Sequence, residues 1–205
     1  MGITASNVVE VRLIEEAAAA GFIITQGTEA ASHPGMFHNN CPDRNICLTS
    51  LKVDLLECIQ VPVVASGGLM SGVDVGRMLG RGAGAAKIGT AFLYCDEAGT
   101  SETYRRPLLN KKIRKTRRTS TFSGRRSRGI SNLFIELMEN KKTLPFPAQN
   151  SLTAGIRRRA ESVGDGEYVS LWAGSSFERI RALSAVKLMQ EIDEGLSSLR
   201  EQLTI

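Results

Sequence analysis

The chain has 205 residues, 42% of them hydrophobic, which suffices for one sizeable core and a small appendage. It holds no long apolar run of membrane-spanning length, and its opening "MGITASNVVEVRLIEE" lacks the basic start, apolar centre and small-residue cleavage site of a leader, so a soluble cytoplasmic protein with no membrane partner is expected. The net charge of +5 is local: eleven Lys or Arg and no acid lie between Arg105 and Arg128, so the remainder is net acidic.

In chain order, "SNVVEVRLIEEAAAAG" predicts a helix with Ser6 as N-cap, Val8, Val11, Leu13 and Ile14 on its apolar side, and Gly21 as its stop. "FIITQG" (22–27) follows as a buried strand, and 48–59 reads as a second helix. "VPVVASGG" is the next strand, 72–83 a third helix weakened by glycines, and 85–93 a further strand. Continuous apolar strands alternating with helices imply parallel pairing, and hence an α/β protein. Past residue 100 the alternation fails. One helix-like stretch (130–140) and a break at Pro145 and Pro147 suggest a separate, largely helical cap. A last helix is expected over 177–203, with Ile180, Leu183, Val186, Leu188, Ile192, Leu196 and Leu199 as its apolar set.

Three strands end in chemically suggestive loops: "TQG", "SGG" and "IGT". Adjacent Gly67 and Gly68 permit positive φ and remove the Cβ atoms that keep a ligand from backbone N–H groups. In parallel α/β sheets an anion binds at such strand ends. "GRGAG" (80–84) precedes a strand instead of following one, which excludes a dinucleotide fingerprint.

These residues resemble a family. "FIITQGTEAASHPG", "VPVVASGGLMSG", "AAKIGTAFL", "TFSGRRSRGISN", "LPFPAQNSLT" and "LWAG" stand in the order found in flavin-dependent nitronate monooxygenases (2-nitropropane dioxygenases), from residue 3 to about 200. The resemblance implies a TIM-type barrel with a helical domain inserted before the last barrel helix, and FMN at the strand C-termini. A full barrel takes about 250 residues, so the chain reads as the C-terminal half: 1–100 partial barrel from the end of the fifth strand to the eighth, 101–176 cap, 177–205 final helix. Such an N-terminally truncated member is expected to hold FMN poorly and to form a homodimer or associate with a missing barrel half through its open edge.

The implied reaction is oxidation of an alkyl nitronate by O₂ to a carbonyl compound and nitrite, with no specific nucleic acid involved. His33 matches the family's catalytic histidine; a solvent-exposed loop histidine is the plain alternative. Cofactor contacts are implied for Gln26, Ala31, Gly67, Gly68, Lys87, Ile88, Gly89 and Thr90. Ala31 and Ser32 replace family glycines, and Lys87 stands in a glutamine's place. Two alternatives remain open: a flavin-dependent enoyl-acyl-carrier-protein reductase, which shares the "GG" and "GT" loops, and a degenerate non-catalytic fragment.

Other features are read blandly. His33, His38, Cys41 and Cys47 have spacings that suit no common zinc site, so no metal is expected. The cysteines Cys41, Cys47, Cys58 and Cys95 show no CxxC pair and read as free thiols. The basic run reads as a solvated face of the cap, since few aromatics interleave it. Trp172 reads as a packing anchor between cap and barrel.

Overall fold

The computed structural model describes residues 1–17, 20–37, 46–50, 59, 61–110 and 115–203. Its main sheet has four parallel strands in sequential order: β1 (Gly2–Ala5), β2 (Phe22–Gln26), β3 (Val63–Ser66) and β4 (Ala85–Lys87). The register sets Thr25 beside both Ala5 and Ala65, and Gln26 beside Ser66. Strand ends carrying loops 27–36, 67–71 and 88–90 therefore meet along one rim.

Helix α1 (Val8–Glu16) is capped by Asn7, one residue later than expected: Glu10 N donates to Asn7 Oδ1 at 3.0 Å. Ser6 turns to the Glu10 carboxylate, donating through its N–H (2.8 Å) and its hydroxyl (3.0 Å). That carboxylate also accepts Phe37 N at 3.0 Å, so one buried acid ties the helix start to the loop after β2. The helix ends at Ala17, short of Gly21. Val11 and Ile14 pack with Ala5 and Ile23, but Leu13 is exposed. Replacing Glu10 with alanine strands two backbone donors and should cost about 2 kcal/mol; an unchanged urea midpoint would show that water replaces the carboxylate without loss.

The helix expected over 48–59 is helical at 48–50, and 51–58 lie outside the described residues. Helix α2 (Gly72–Gly80) is capped by Ser71 and packs on α6 (Ala185–Leu203). The expected strand 85–93 stops at Lys87, and Thr90–Tyr94 coils into a 3-10 turn. Likewise α6 does not begin at 177, because Ser184 Oγ accepts Lys187 N (3.2 Å) and starts the helix there. Ile180 is buried ahead of it, and Val186 faces solvent.

The segment expected to be a largely helical cap holds α3 (Glu102–Leu109), α4 (Leu133–Met138) and α5 (Ala148–Val163), but also an antiparallel ribbon, β5 (Thr116–Thr119) with β6 (Ser127–Ile130). "TRRT" and "SRGI" carry no apolar alternation to announce strands. The largest apolar cluster includes Met70, Leu108, Ile130, Leu171, Phe177 and Leu188, so it crosses both boundaries drawn at 100 and 176. A second cluster, Phe122, Phe134 and Ile135, lies within the cap segment.

Candidate functional site

At the rim of the parallel sheet lies a cleft of about 160 Å³ lined by Gln26, Ala31, Gly67, Gly68, Lys87, Gly89 and Thr90, with Ala30, Ser66, Leu69, Met70, Gly174 and Ser176 completing it. Seven of the nine residues singled out in the sequence thus converge. Ile88 does not line the cleft; it is half-buried and packs against two apolar clusters, as Leu79 and Ala86 do. His33 also lies outside the lining.

Backbone geometry explains the glycines. Gly67 and Gly68 take φ of 129° and 70°, a region that side chains resist. A Cβ on Gly68 would meet Glu29 Cβ at 3.1 Å and Ser176 Oγ at 3.2 Å. Gly89 differs: its φ is −126°, and a Cβ there would meet nothing within 4 Å, so it looks onto open space. Thr90 Oγ1 accepts Gly174 N at 2.9 Å, which leaves its own proton available to a ligand. Gly174 and Ser176 arrive from 84 and more residues downstream, and sequence reasoning took only Trp172 from their motif. Their proximity to the strand ends is a product of the tertiary fold, although "LWAG" marked the region.

Gln26 spends its amide on the loop after its own strand: Nε2 donates to His33 O at 3.2 Å and Oε1 accepts Gly35 N at 2.7 Å. The basic run supplies three further clamps on this loop. Arg128 Nε donates to Thr28 O (2.7 Å), Arg118 Nη1 to Thr28 Oγ1 (3.4 Å), and Arg125 Nη2 to Pro34 O (2.7 Å) and Met36 O (3.0 Å). The solvated-face reading therefore fails for these three arginines. Their targets are backbone carbonyls and a hydroxyl, which a sequence cannot display. Ser32, in the place of a family glycine, has φ of 63° and pairs with Arg128 in both directions (2.9 and 2.8 Å). Left-handed backbone at a non-glycine residue costs about 1 kcal/mol, and this two-way pairing offsets it.

His33 is half-buried between Phe146 and Trp172, whose ring centroids lie 6.0 and 5.7 Å from its own. Trp172 also meets Phe122 edge-on at 5.7 Å, so it links the loop after β2 to the aromatic cluster of Phe122 and Phe134. Nε2 of His33 stands 2.7 Å from Ser123 Oγ. That hydroxyl donates to Arg125 O at 3.0 Å and accepts Arg125 N at 3.3 Å, so its remaining role toward His33 is as acceptor. The network assigns the imidazole proton to Nε2 and leaves Nδ1, 3.5 Å from Ser32 Oγ, as the proton acceptor.

Burial, and then the Arg125 guanidinium, hold the His33 pKa below its ordinary 6.5. A base lowered in the fold favours folding while it is neutral, so its contribution is present above about pH 6.5 and lost as pH falls toward the lowered value. The stability advantage of wild type over His33→Gln should accordingly shrink between pH 7 and pH 5. An advantage that grows on acidification would mean that the folded imidazole is charged.

The zinc question reduces to two residues, because His38 and Cys41 lie outside the described residues; among those described, no three His, Cys, Asp or Glu cluster as metal ligands. Cys47 and Cys95 are free thiols, and Cys58 lies outside the described residues. No described helix is long and apolar enough to cross a membrane.

The family model described as nitronate monooxygenase matches residues 1–194. A probable nitronate monooxygenase of Staphylococcus aureus (strain Newman) is 37% identical over 203 residues, 97% of this chain and 56% of that protein. A nitronate monooxygenase of Paraburkholderia phytofirmans is 32% identical over 203 residues, 98% of this chain and 55% of that one. The chain thus spans about half the length of the curated relatives it matches. Among solved structures, a nitroalkane oxidase from Streptomyces ansochromogenes superposes with TM-score 0.93 at 34% identity, covering 98% of this chain and 58% of its own. FabK from Thermotoga maritima superposes with TM-score 0.79 at 24% identity, covering 99% of this chain and 62% of its own, a likeness of fold. A parallel α/β sheet shared with these structures, and a family match along nearly the whole chain, make it a member of the nitronate monooxygenase family.

Proposed function

We propose that this chain is part of an FMN-dependent oxidoreductase that converts alkyl nitronates and O₂ to a carbonyl compound and nitrite. The observation that carries the reading is the cleft floored by Gly67, Gly68 and Gly89 at the C-terminal ends of β3 and β4, joined through Gln26 to His33. On this reading β1–β4 form the C-terminal half of a TIM-type barrel, 101–176 an inserted cap and 177–205 the final barrel helix. Sequential parallel order, each strand beside the next, supports it.

The cleft fits a phosphate. Its floor is backbone, the space before Gly89 is open, and Thr90 offers a hydroxyl proton beside it. Lys87 adds a cation on the rim. The bound flavin would supply the electron transfer; the protein supplies binding and orientation. Gln26 holds the loop that carries His33, and Ala31 lines the cleft beside it. With its proton on Nε2 toward Ser123, His33 keeps Nδ1 to accept a proton from a nitroalkane carbon or to hold the nitronate. Depression of its pKa keeps it in that basic form at neutral pH.

The test is an FMN titration followed by nitrite release on the flavin-loaded protein. His33→Ala should retain FMN within about twofold and lose at least 100-fold in kcat, the usual scale of a general base. NADH oxidation without nitrite release would overturn this reading in favour of an enoyl reductase. Full turnover in His33→Ala would remove the histidine from the chemistry.

A further inference from the structure

The strand-end cleft has two walls that are far apart in sequence: residues 67–70 after β3 form one, and Gly174 with Ser176 the other. Their spacing depends on contacts between the two segments, and Arg179 makes a charged, two-pronged one. Its Nη2 donates to Asp74 Oδ2 at 2.7 Å and its Nη1 to Asp74 Oδ1 at 3.2 Å, while Nη2 also reaches Ser71 Oγ at 3.0 Å. Asp74 passes that hold to the cleft wall, because the same Oδ2 accepts Met70 N at 2.9 Å and the Ser71 hydroxyl at 3.0 Å. On the other side, Phe177 and Ile180 are buried in the main apolar cluster and fix the short 3-10 turn that carries Arg179. Arg181 adds a second tie: its Nη2 donates to Met70 O at 3.2 Å, and its Nη1 meets Glu191 of α6. The Asp74 side chain is 13% exposed and that of Arg179 50%. Burial alone would raise the Asp74 carboxyl, but the Arg179 bonds, the Met70 N–H and the Ser71 hydroxyl outweigh it and hold the carboxyl below its ordinary range.

A helix cap explains part of this arrangement and not the rest. Ser71 Oγ accepts Asp74 N, and Asp74 reaches back to Met70 N, which completes the start of α2. Neither bond needs a guanidinium from beyond Gly174. We propose that Asp74 and Arg179 are a positioning pair for the anionic end of the cleft's ligand, holding both walls at the spacing that a phosphate needs. The inference rests on the reading of that cleft as a phosphate site. Walls ordered in advance lose less freedom when a ligand arrives, so part of the affinity resides in the pair although neither side chain lines the cleft.

Arg179→Gln is the informative variant, because it keeps Ser71, Asp74 and Met70 in their cap and removes the charged tie between the walls. FMN and inorganic phosphate are titrated calorimetrically into wild type, Arg179→Gln and Arg179→Lys, and amide hydrogen exchange is followed on the ligand-free proteins. We expect Arg179→Gln to bind both ligands about fivefold more weakly, the upper end of what a partly exposed pair contributes, with little change in the ligand-free thermal midpoint. Arg179→Lys should recover part of that loss. Exchange in Arg179→Gln should quicken in 67–71 and in 174–176 alike. Wild-type affinity in Arg179→Gln overturns the proposal, and so does quickened exchange confined to the first turn of α2, which would make the pair a helix cap and nothing more. If wild type takes phosphate and not FMN, the flavin reading falls and the phosphate titration still decides the pair. Wild type that binds neither ligand overturns the anion site and the pair's role with it.

Discussion

Gly89→Val should lower FMN affinity at least tenfold, about 1.4 kcal/mol, with a smaller loss of stability. The added Cβ would find no atom within 4 Å, so the cost to the fold is confined to a backbone at φ −126° and ψ −67°, outside the regions that branched residues favour. The side chain must then project into the cleft, where the proposal puts the phosphate. Gly68→Val is the less informative partner. Its positive φ and the nearby Glu29 and Ser176 mean that valine there disturbs the loop as well as the ligand. Flavin fluorescence quenching and a melting curve on the same samples separate the two effects. Unaltered FMN affinity in Gly89→Val would move the phosphate elsewhere.

Gly72→Val should cost about 3 kcal/mol or more. A Cβ on Gly72 would stand against the Ile192 carbonyl oxygen, 2.5 Å from Leu196 N and 2.8 Å from Gly195 C. These are backbone atoms of α6, so no rotamer change relieves the clash and the helices must part. Parting them opens the contact that Gly76 makes with Leu196 and Leu199, and exposes the buried face of Leu188 and Ile192. The measurement is the urea midpoint; a shift equivalent to less than about 0.5 kcal/mol, the range of ordinary surface changes, would mean that α2 and α6 are not in contact in solution.

That helix pair shows where the sequence is legible and where it is not. The glycines of 72–83 read as weakness because helix propensity is local; the reason for Gly72 and Gly76 is α6, more than a hundred residues later. Strands β2 and β3 were legible because a buried parallel strand is a continuous apolar run that ends at glycine. "TRRT" was not, because the arginines of β5 meet distant partners, Arg118 the Thr28 hydroxyl and Arg117 the Glu139 carboxylate, which no local pattern displays. In the cleft the same contrast holds. Gly67, Gly68, Gly89 and Thr90 stand at strand ends and announce themselves, whereas Gly174 and Ser176 come from an irregular stretch whose position depends on the packing of Phe177 and Leu171. Ile88, beside Gly89 in sequence, packs against apolar clusters instead of lining the cleft, since alternation along a strand end turns neighbours to opposite faces.

The pairing of Ser32 with Arg128 has a mechanical meaning. Residues 28–36 are in effect a third strand of the β5–β6 ribbon over one residue pair, nailed by Arg118, Arg125 and Arg128. His33 therefore does not ride on a flap that opens independently of its surroundings. Any motion that lifts it from the sheet rim must lift the ribbon as well, so the two would move as one rigid jaw. Admission of a ligand beside His33 is thus a question of how the whole jaw tilts.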